Sequence, residues 1–190
     1  MKKITYLAVS ALSACLLAAP AAASVIVLGN SAGFGCYRAA VAKASSDVAV
    51  KNCTDAIESG MMSFDDTVAT YVNRGVVKLH GGRYDDALRD FDRAIAMKPS
   101  EPESYLNKGS TLLRMEASPA SAIPLFGEAL QRNTRRPELA YFGRAIANEA
   151  SGNLKEAYLD YRRAKEAAPR WDLPAREMAR FQIRPAGGSF

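Results

Sequence analysis

Cysteine, histidine and aspartate are the residues here whose types and spacing could do chemistry, and each set falls short of a reactive centre. Cys15 lies inside an apolar N-terminal run, which leaves Cys36 and Cys53 as an even pair. In an exported chain such a pair reads as a disulfide more readily than as half of a metal site, which needs two further donors nearby. His80 is the single histidine, so a zinc site lacks its usual ligands and no general base can depend on a second imidazole. Asp85, Asp86, Asp90 and Asp92 crowd one stretch, but the glycine and glutamate of a calcium loop do not follow them. They fit a solvated helix face instead, with Asp85 and Asp86 in a first turn and Arg89 and Arg93 at pairing distance from Asp85, Asp86 or Asp90. VIVLGNSAGFG, residues 25–35, has glycines after an apolar run, yet matches neither phosphate-loop spacing and has no lysine behind it. The sequence therefore offers no catalytic residue, no metal ligand set and no cofactor site. The expectation is a protein that is not an enzyme.

The elements that carry these residues begin with a targeting segment. Lys2 and Lys3 precede ITYLAVSALSACLLAA, and Ala21-Ala22-Ala23 supplies the small side chains that a signal peptidase needs, with cutting after Ala23. The apolar run is too short and too rich in Ala and Ser for a spanning helix, so no membrane span is expected after cleavage. Leu12-Ser13-Ala14-Cys15 resembles a lipobox, which would make a lipid-anchored protein. The apolar run continues past the cysteine, as in a longer signal peptide. Both routes lead out of the cytoplasm, to a periplasmic or secreted protein.

Without Lys2 and Lys3 the chain carries 23 Lys plus Arg against 20 Asp plus Glu, a net charge of +3. Residues 24–129 are net −2 and residues 130–190 net +5, so the later part suits an anionic partner. The basic groups are dispersed among acids and not interleaved with aromatics, which argues against nucleic acid.

Residues 82–99, GRYDDALRDFDRAIAMKP, recur 70 residues later as GNLKEAYLDYRRAKEAAP, residues 152–169. Around them three units stand in phase. Tyr71, Gly75, Ala87, Phe91, Ala94 and Pro99 mark residues 68–101. Tyr141, Ala145, Ala157, Tyr161, Ala164 and Pro169 mark residues 138–171. Tyr105, Gly109, Ala122, Phe126 and Ala129 mark the unit between, 102–137, which has one extra residue near Ala117-Ser118-Pro119 and one after Ala129. Small residues allow two helices to approach, an aromatic four positions after the alanine fills the gap to the next unit, and proline ends the second helix. Arg74 and Lys78 depart from the pattern, where it has Leu and Tyr.

This resembles the tetratricopeptide repeat family. The resemblance implies an all-α fold, a right-handed superhelix or α-solenoid of antiparallel helix pairs. It divides the chain into a signal peptide (1–23), an extended or flexible segment (24–35), a degenerate repeat or N-terminal cap (36–67), the three repeats, a capping helix (172–184) and a tail (185–190). In the cap, Ala49, Cys53 and Ala56 keep the repeat's spacing, and Cys36 lies where it can face Cys53. Met178, Phe181 and Trp171 are expected to cover the last repeat, with Arg176, Arg180 and Arg184 toward water.

The resemblance also implies a concave groove, lined by the first helix of each pair, that binds a peptide or protein. The register places Val72, Asn73, Val76 and Leu79 there from the first repeat, Leu106, Asn107, Ser110, Leu113 and Arg114 from the second, and Phe142 and Ile146 from the third. Contiguous apolar surface of this kind marks an interaction site. Asn73 and Asn107 could bond a partner's backbone. Val72 and Val76 stand where a carboxylate clamp needs Lys and Asn, so no clamp is carried over. The function implied is a protein–protein interaction module of the cell envelope, an adaptor or scaffold that holds an amphipathic helix or extended segment. A structural component acting by self-association is the alternative. Residues 24–35, with Val25, Ile26, Val27 and Leu28, are the rival occupant of the same groove.

Overall fold

The structure is a computed structural model, and it describes residues 4–8, 22–27, 32–115 and 119–185. Two short helices, α1 (Phe34–Val41) and α2 (Asp47–Glu58), open the array. Three helix pairs follow: α3 (Phe64–His80) with α4 (Tyr84–Met97), α5 (Pro102–Arg114) with α6 (Pro119–Gln131), and α7 (Pro137–Ala150) with α8 (Leu154–Ala167). Each helix packs on the next in sequence, which is the all-α solenoid of helix pairs that the repeat implies. None of the described helices is long and apolar enough to cross a membrane.

Local chemistry sets the boundaries. Ser63 caps α3 by accepting from the Asp66 amide (3.0 Å), and Asp65 and Asp66 place negative charge in the first turn. Gly82 (φ 72°) and Gly152 (φ 80°) adopt the left-handed conformation that reverses the chain between paired helices. Gly81, its neighbour, keeps an ordinary negative φ. Pro102 and Pro137 open α5 and α7, where a missing N–H costs nothing.

The small residues do what their spacing requires. A Cβ on Gly75 would lie 2.5 Å from Cε1 of Phe91, and one on Gly143 would lie 2.4 Å from Cζ of Phe126. Phe126 thus presses on Gly109 of its own repeat (3.1 Å) and on Gly143 of the next. Ala87, Ala122 and Ala157 are fully buried beside these aromatics.

The two departures from the repeat pattern have a cause. Asp90 is buried on α4 and takes both ends of the Arg74 guanidinium (2.7 and 2.9 Å), with Lys78 at 2.7 Å. Seventy residues on, Asp160 takes Arg144 in the same way (2.7 and 2.8 Å), and Arg163 joins it. Asp90 is therefore not part of a solvated face, and its cations come from the neighbouring helix and not from Arg93. Arg89 does pair with Asp86 as helical spacing suggests.

At the N-terminal end Cys36 and Cys53 are bridged, tying α1 to α2. At the other end the helix expected over 172–184 is shorter. α9 spans Leu173–Met178, and residues 181–185 form strand β2 (Phe181–Pro185), antiparallel to β1 (Ile4–Ala8). Trp171 and Phe181 do cover the last repeat: the Trp171 ring lies 4.7 Å from Phe142, and Phe181 lies edge-on to Tyr158 and Tyr161. Arg180 does not simply face water, because it pairs with Glu149 and Glu177. Of the stretch Ala117-Ser118-Pro119, only Pro119, which opens α6, is among the described residues, and of the tail 185–190 only Pro185.

Candidate functional site

Asn73 on α3 and Asn107 on α5 are equivalent positions of successive repeats, and both are fully buried. Each carboxamide grips one residue of an extended segment through both its main-chain groups. Oδ1 of Asn73 accepts from the Val25 amide (2.9 Å), and its Nδ2 donates to the Val25 carbonyl (2.7 Å). Oδ1 of Asn107 accepts from the Ala23 amide (2.8 Å), and its Nδ2 donates to the Ala23 carbonyl (2.7 Å). Two residues of extended chain advance about 6.6 Å and return to the same side. Successive asparagines therefore grip alternate residues of the segment.

The segment alternates accordingly. Ala23, Val25 and Val27 are buried, whereas Ile26 is 52% exposed. Val25 and Val27 join the apolar cluster of α1–α4, with Val72, Val76 and Leu79. Ala23 joins the cluster of α5–α8, with Leu106, Leu113 and Ile146. The strand thus spans the boundary between two cores. The chain's own residues 22–27 hold the groove, as the rival expectation had it for Val25 and Val27; Leu28 lies outside the described residues.

This changes how the expected groove residues read. Val72, Val76, Leu79, Leu106, Leu113 and Ile146 are buried, so the open apolar surface expected of them is not present. Phe142 also differs. Its ring meets Tyr161 at 5.4 Å and Trp171 at 4.7 Å, which places it in the packing between the last repeat and its cap. Ser110 is buried and its hydroxyl is committed to the Leu106 carbonyl (2.9 Å). Arg114 is partly buried, and its Nε makes no hydrogen bond. The third repeat has Gly143 where the first two have asparagine, so the main-chain grip ends after two rungs.

Beside the strand lies a cavity of about 460 Å³, lined by Ala22, Ala23, Ser24, Tyr37, Lys43, His80, Glu103, Arg135 and Arg136 among others. Burial, together with the charges of Arg114 and Lys43, lowers the His80 pKa and favours the neutral ring. Glu103 is buried; its Oε1 accepts from the Arg135 amide (2.9 Å) and the Thr134 hydroxyl (3.3 Å). Glu101, two residues away at the start of α5, is pushed up to about 7 by burial and by its contact with the Glu103 carboxyl. Nothing in the sequence pattern announced this carboxyl pair, because the groups that bond Glu103 come from the next repeat's loop, 31 and 32 residues on. Among the described residues no three His, Cys, Asp or Glu side chains gather to hold a metal ion. What the site can do is hold main chain.

A family model described as tetratricopeptide repeat matches residues 72–117 and 116–170, more than half of the chain. A search of curated proteins finds no match.

Proposed function

The chain belongs to the tetratricopeptide repeat family, and from that premise we propose that it is an exported adaptor whose groove holds an extended segment of another protein. Tetratricopeptide repeats generally mediate protein–protein interaction. The observation that carries the specific reading is the paired grip of Asn73 and Asn107 on Val25 and Ala23. A carboxamide that bonds both main-chain groups of one residue reads extended backbone, and a helix has those groups already occupied. Of the two ligand shapes expected for the groove, the extended one fits. Inward positions take small or β-branched side chains, as Ala23, Val25 and Val27 do. Export is supported by the signal-like N-terminus and by the Cys36–Cys53 bridge, a bond that oxidising compartments preserve.

The test removes the resident strand. A chain starting at Ala32, checked for helicity by circular dichroism, is titrated with a labelled peptide of residues 21–28 carrying a lysine tail for solubility. Saturable binding is expected, weakened about tenfold or more when Asn73→Ala and Asn107→Ala are combined. Equal binding to both chains would refute the asparagine groove.

A further inference from the structure

We propose that cutting after Ala23 turns Asn107 into an open receptor site for another protein's extended segment, one that presents a small residue followed by a carboxylate. The inference rests on the groove reading above and on the cut expected at Ala21-Ala22-Ala23. That cut falls between the two gripped residues. Ser24–Val27 stays, because Val25 keeps both bonds to Asn73 and its side chain remains with Val27 in the core of α1–α4. Ala23 goes, and it belongs to the other core, that of α5–α8.

Its departure strips Asn107 of both partners at once. The carboxamide is fully buried with Ala23 in place and faces the emptied groove without it, and its hydroxyl neighbours cannot turn to it. Ser110 is bonded to the Leu106 carbonyl (2.9 Å) and Thr111 to the main-chain carbonyl of Asn107 itself (2.8 Å). A donor and an acceptor set side by side in a concave groove and bonded only to water favour a ligand that supplies both. The main chain of an extended residue supplies them with the spacing Ala23 used. The side chain at that place must be small, since Ala23 is 1% exposed and packed within the α5–α8 core.

Charge defines the rest of the ligand. The incoming segment follows the course of Ala22–Ala23 and must end or turn away at Ser24, which holds the next place in the groove. The cut gives Ser24 an α-ammonium group. Lys43, Arg135 and Arg136 line the adjoining cavity against Glu103 and its neighbour Glu101, which burial and Glu103 hold toward the protonated form; Oε1 of Glu103 has two donors and Oε2 none, and Arg136 is paired with Glu138 (2.6 Å). His80 is held toward its neutral form. The balance is positive, so a carboxylate is favoured there, either a chain end or an Asp or Glu side chain.

The experiment follows the side-chain amide signals of Asn107 by nitrogen-15 NMR in the chain starting at Ser24, with assignment by Asn107→Ala. A control chain keeps residues 18–23 ahead of Ser24. The probes are acetyl-Ala-Ala-Ala as the free acid and as the amide, acetyl-Ala-Ala-Ala-Asp-amide, and acetyl-Ala-Ala-Leu as the free acid. The free-acid alanine peptide or the aspartate peptide is expected to shift Asn107 in the cut chain and not in the control. Whichever of the two binds more tightly identifies the carboxylate as chain end or side chain. The neutral amide should bind about tenfold more weakly than the better of them, and the leucine peptide should not bind. No shift in the cut chain, or equal shifts in both chains, overturns the proposal, as does an exported protein whose measured mass does not begin at Ser24. If the 21–28 peptide still binds the chain starting at Ala32, the groove itself stands and only the Asn107 site falls.

Discussion

Adding one methyl group at Gly75 tests the helix phase more sharply than any deletion. The new Cβ would lie 2.5, 2.8 and 2.9 Å from three ring atoms of Phe91, closer than carbon atoms tolerate. Phe91 is fully buried between α3 and α4 and cannot swing aside, so the helices must separate. Overpacking of this kind costs about 1–3 kcal/mol, against a gain of about 1 kcal/mol because alanine suits a helix better than glycine. Gly75→Ala should therefore be destabilised by up to about 2 kcal/mol. Gly109→Ala meets Phe126 at 3.1–3.3 Å, so the two terms should nearly cancel. Gly127→Ala has only Arg144 Nη1 at 4.0 Å and should gain about 1 kcal/mol. Urea midpoints should fall in the order Gly127→Ala above wild type and Gly109→Ala, with Gly75→Ala lowest. If Gly75→Ala and Gly109→Ala melt together, the close approach of α3 to Phe91 is not what sets glycine there.

Denatured protein prepared without reductant should show no free thiol from Cys36 or Cys53, and reduction should cost about 3 kcal/mol by loss of chain-entropy restraint; two reactive thiols per chain would contradict the bridge. Glu101 titrates higher in the folded chain than in the unfolded one, so the folded state holds its proton longer. Its contribution is full below about pH 4.5 and is lost as pH rises toward about 7. Glu101→Gln should flatten that part of the stability profile, and an unchanged profile would show that the carboxyl pair is not the source.

The repeat was legible because its signals are local. Gly75 with Phe91, and Ala145 with Tyr161, are pairs separated by 16 residues in one helical hairpin, so their spacing survives in the sequence even where other positions drift. Arg74 and Lys78 looked like departures for the opposite reason. Their partner Asp90 is visible only when the unit is folded, although the same Arg and Asp return at 144 and 160. The strand in the groove was harder still. Val25 meets Asn73 across 48 residues and Ala23 meets Asn107 across 84, and no local pattern records such a pairing. What the sequence did hold was asparagine at one position of two successive repeats, opposite a segment that alternates in burial. The C-terminal stretch misled by composition: AREMARFQI has helix formers at its start, but only Leu173–Met178 is helical, and the chain is extended from Phe181.

The groove's two grips have different consequences for recognition. Asn73 and Asn107 bond main chain, which every residue shares, so they select conformation and leave sequence open. Sequence is selected by depth: Val25 and Val27 sink into the core of α1–α4, and Ala23 into that of α5–α8. A competing segment must therefore match small and β-branched residues at alternate places to displace the whole resident strand. A segment that needs only the Asn107 place faces a lower demand, a single small residue. Under the proposed cut after Ala23, the point of processing would fix how many of the two rungs stay open to another protein.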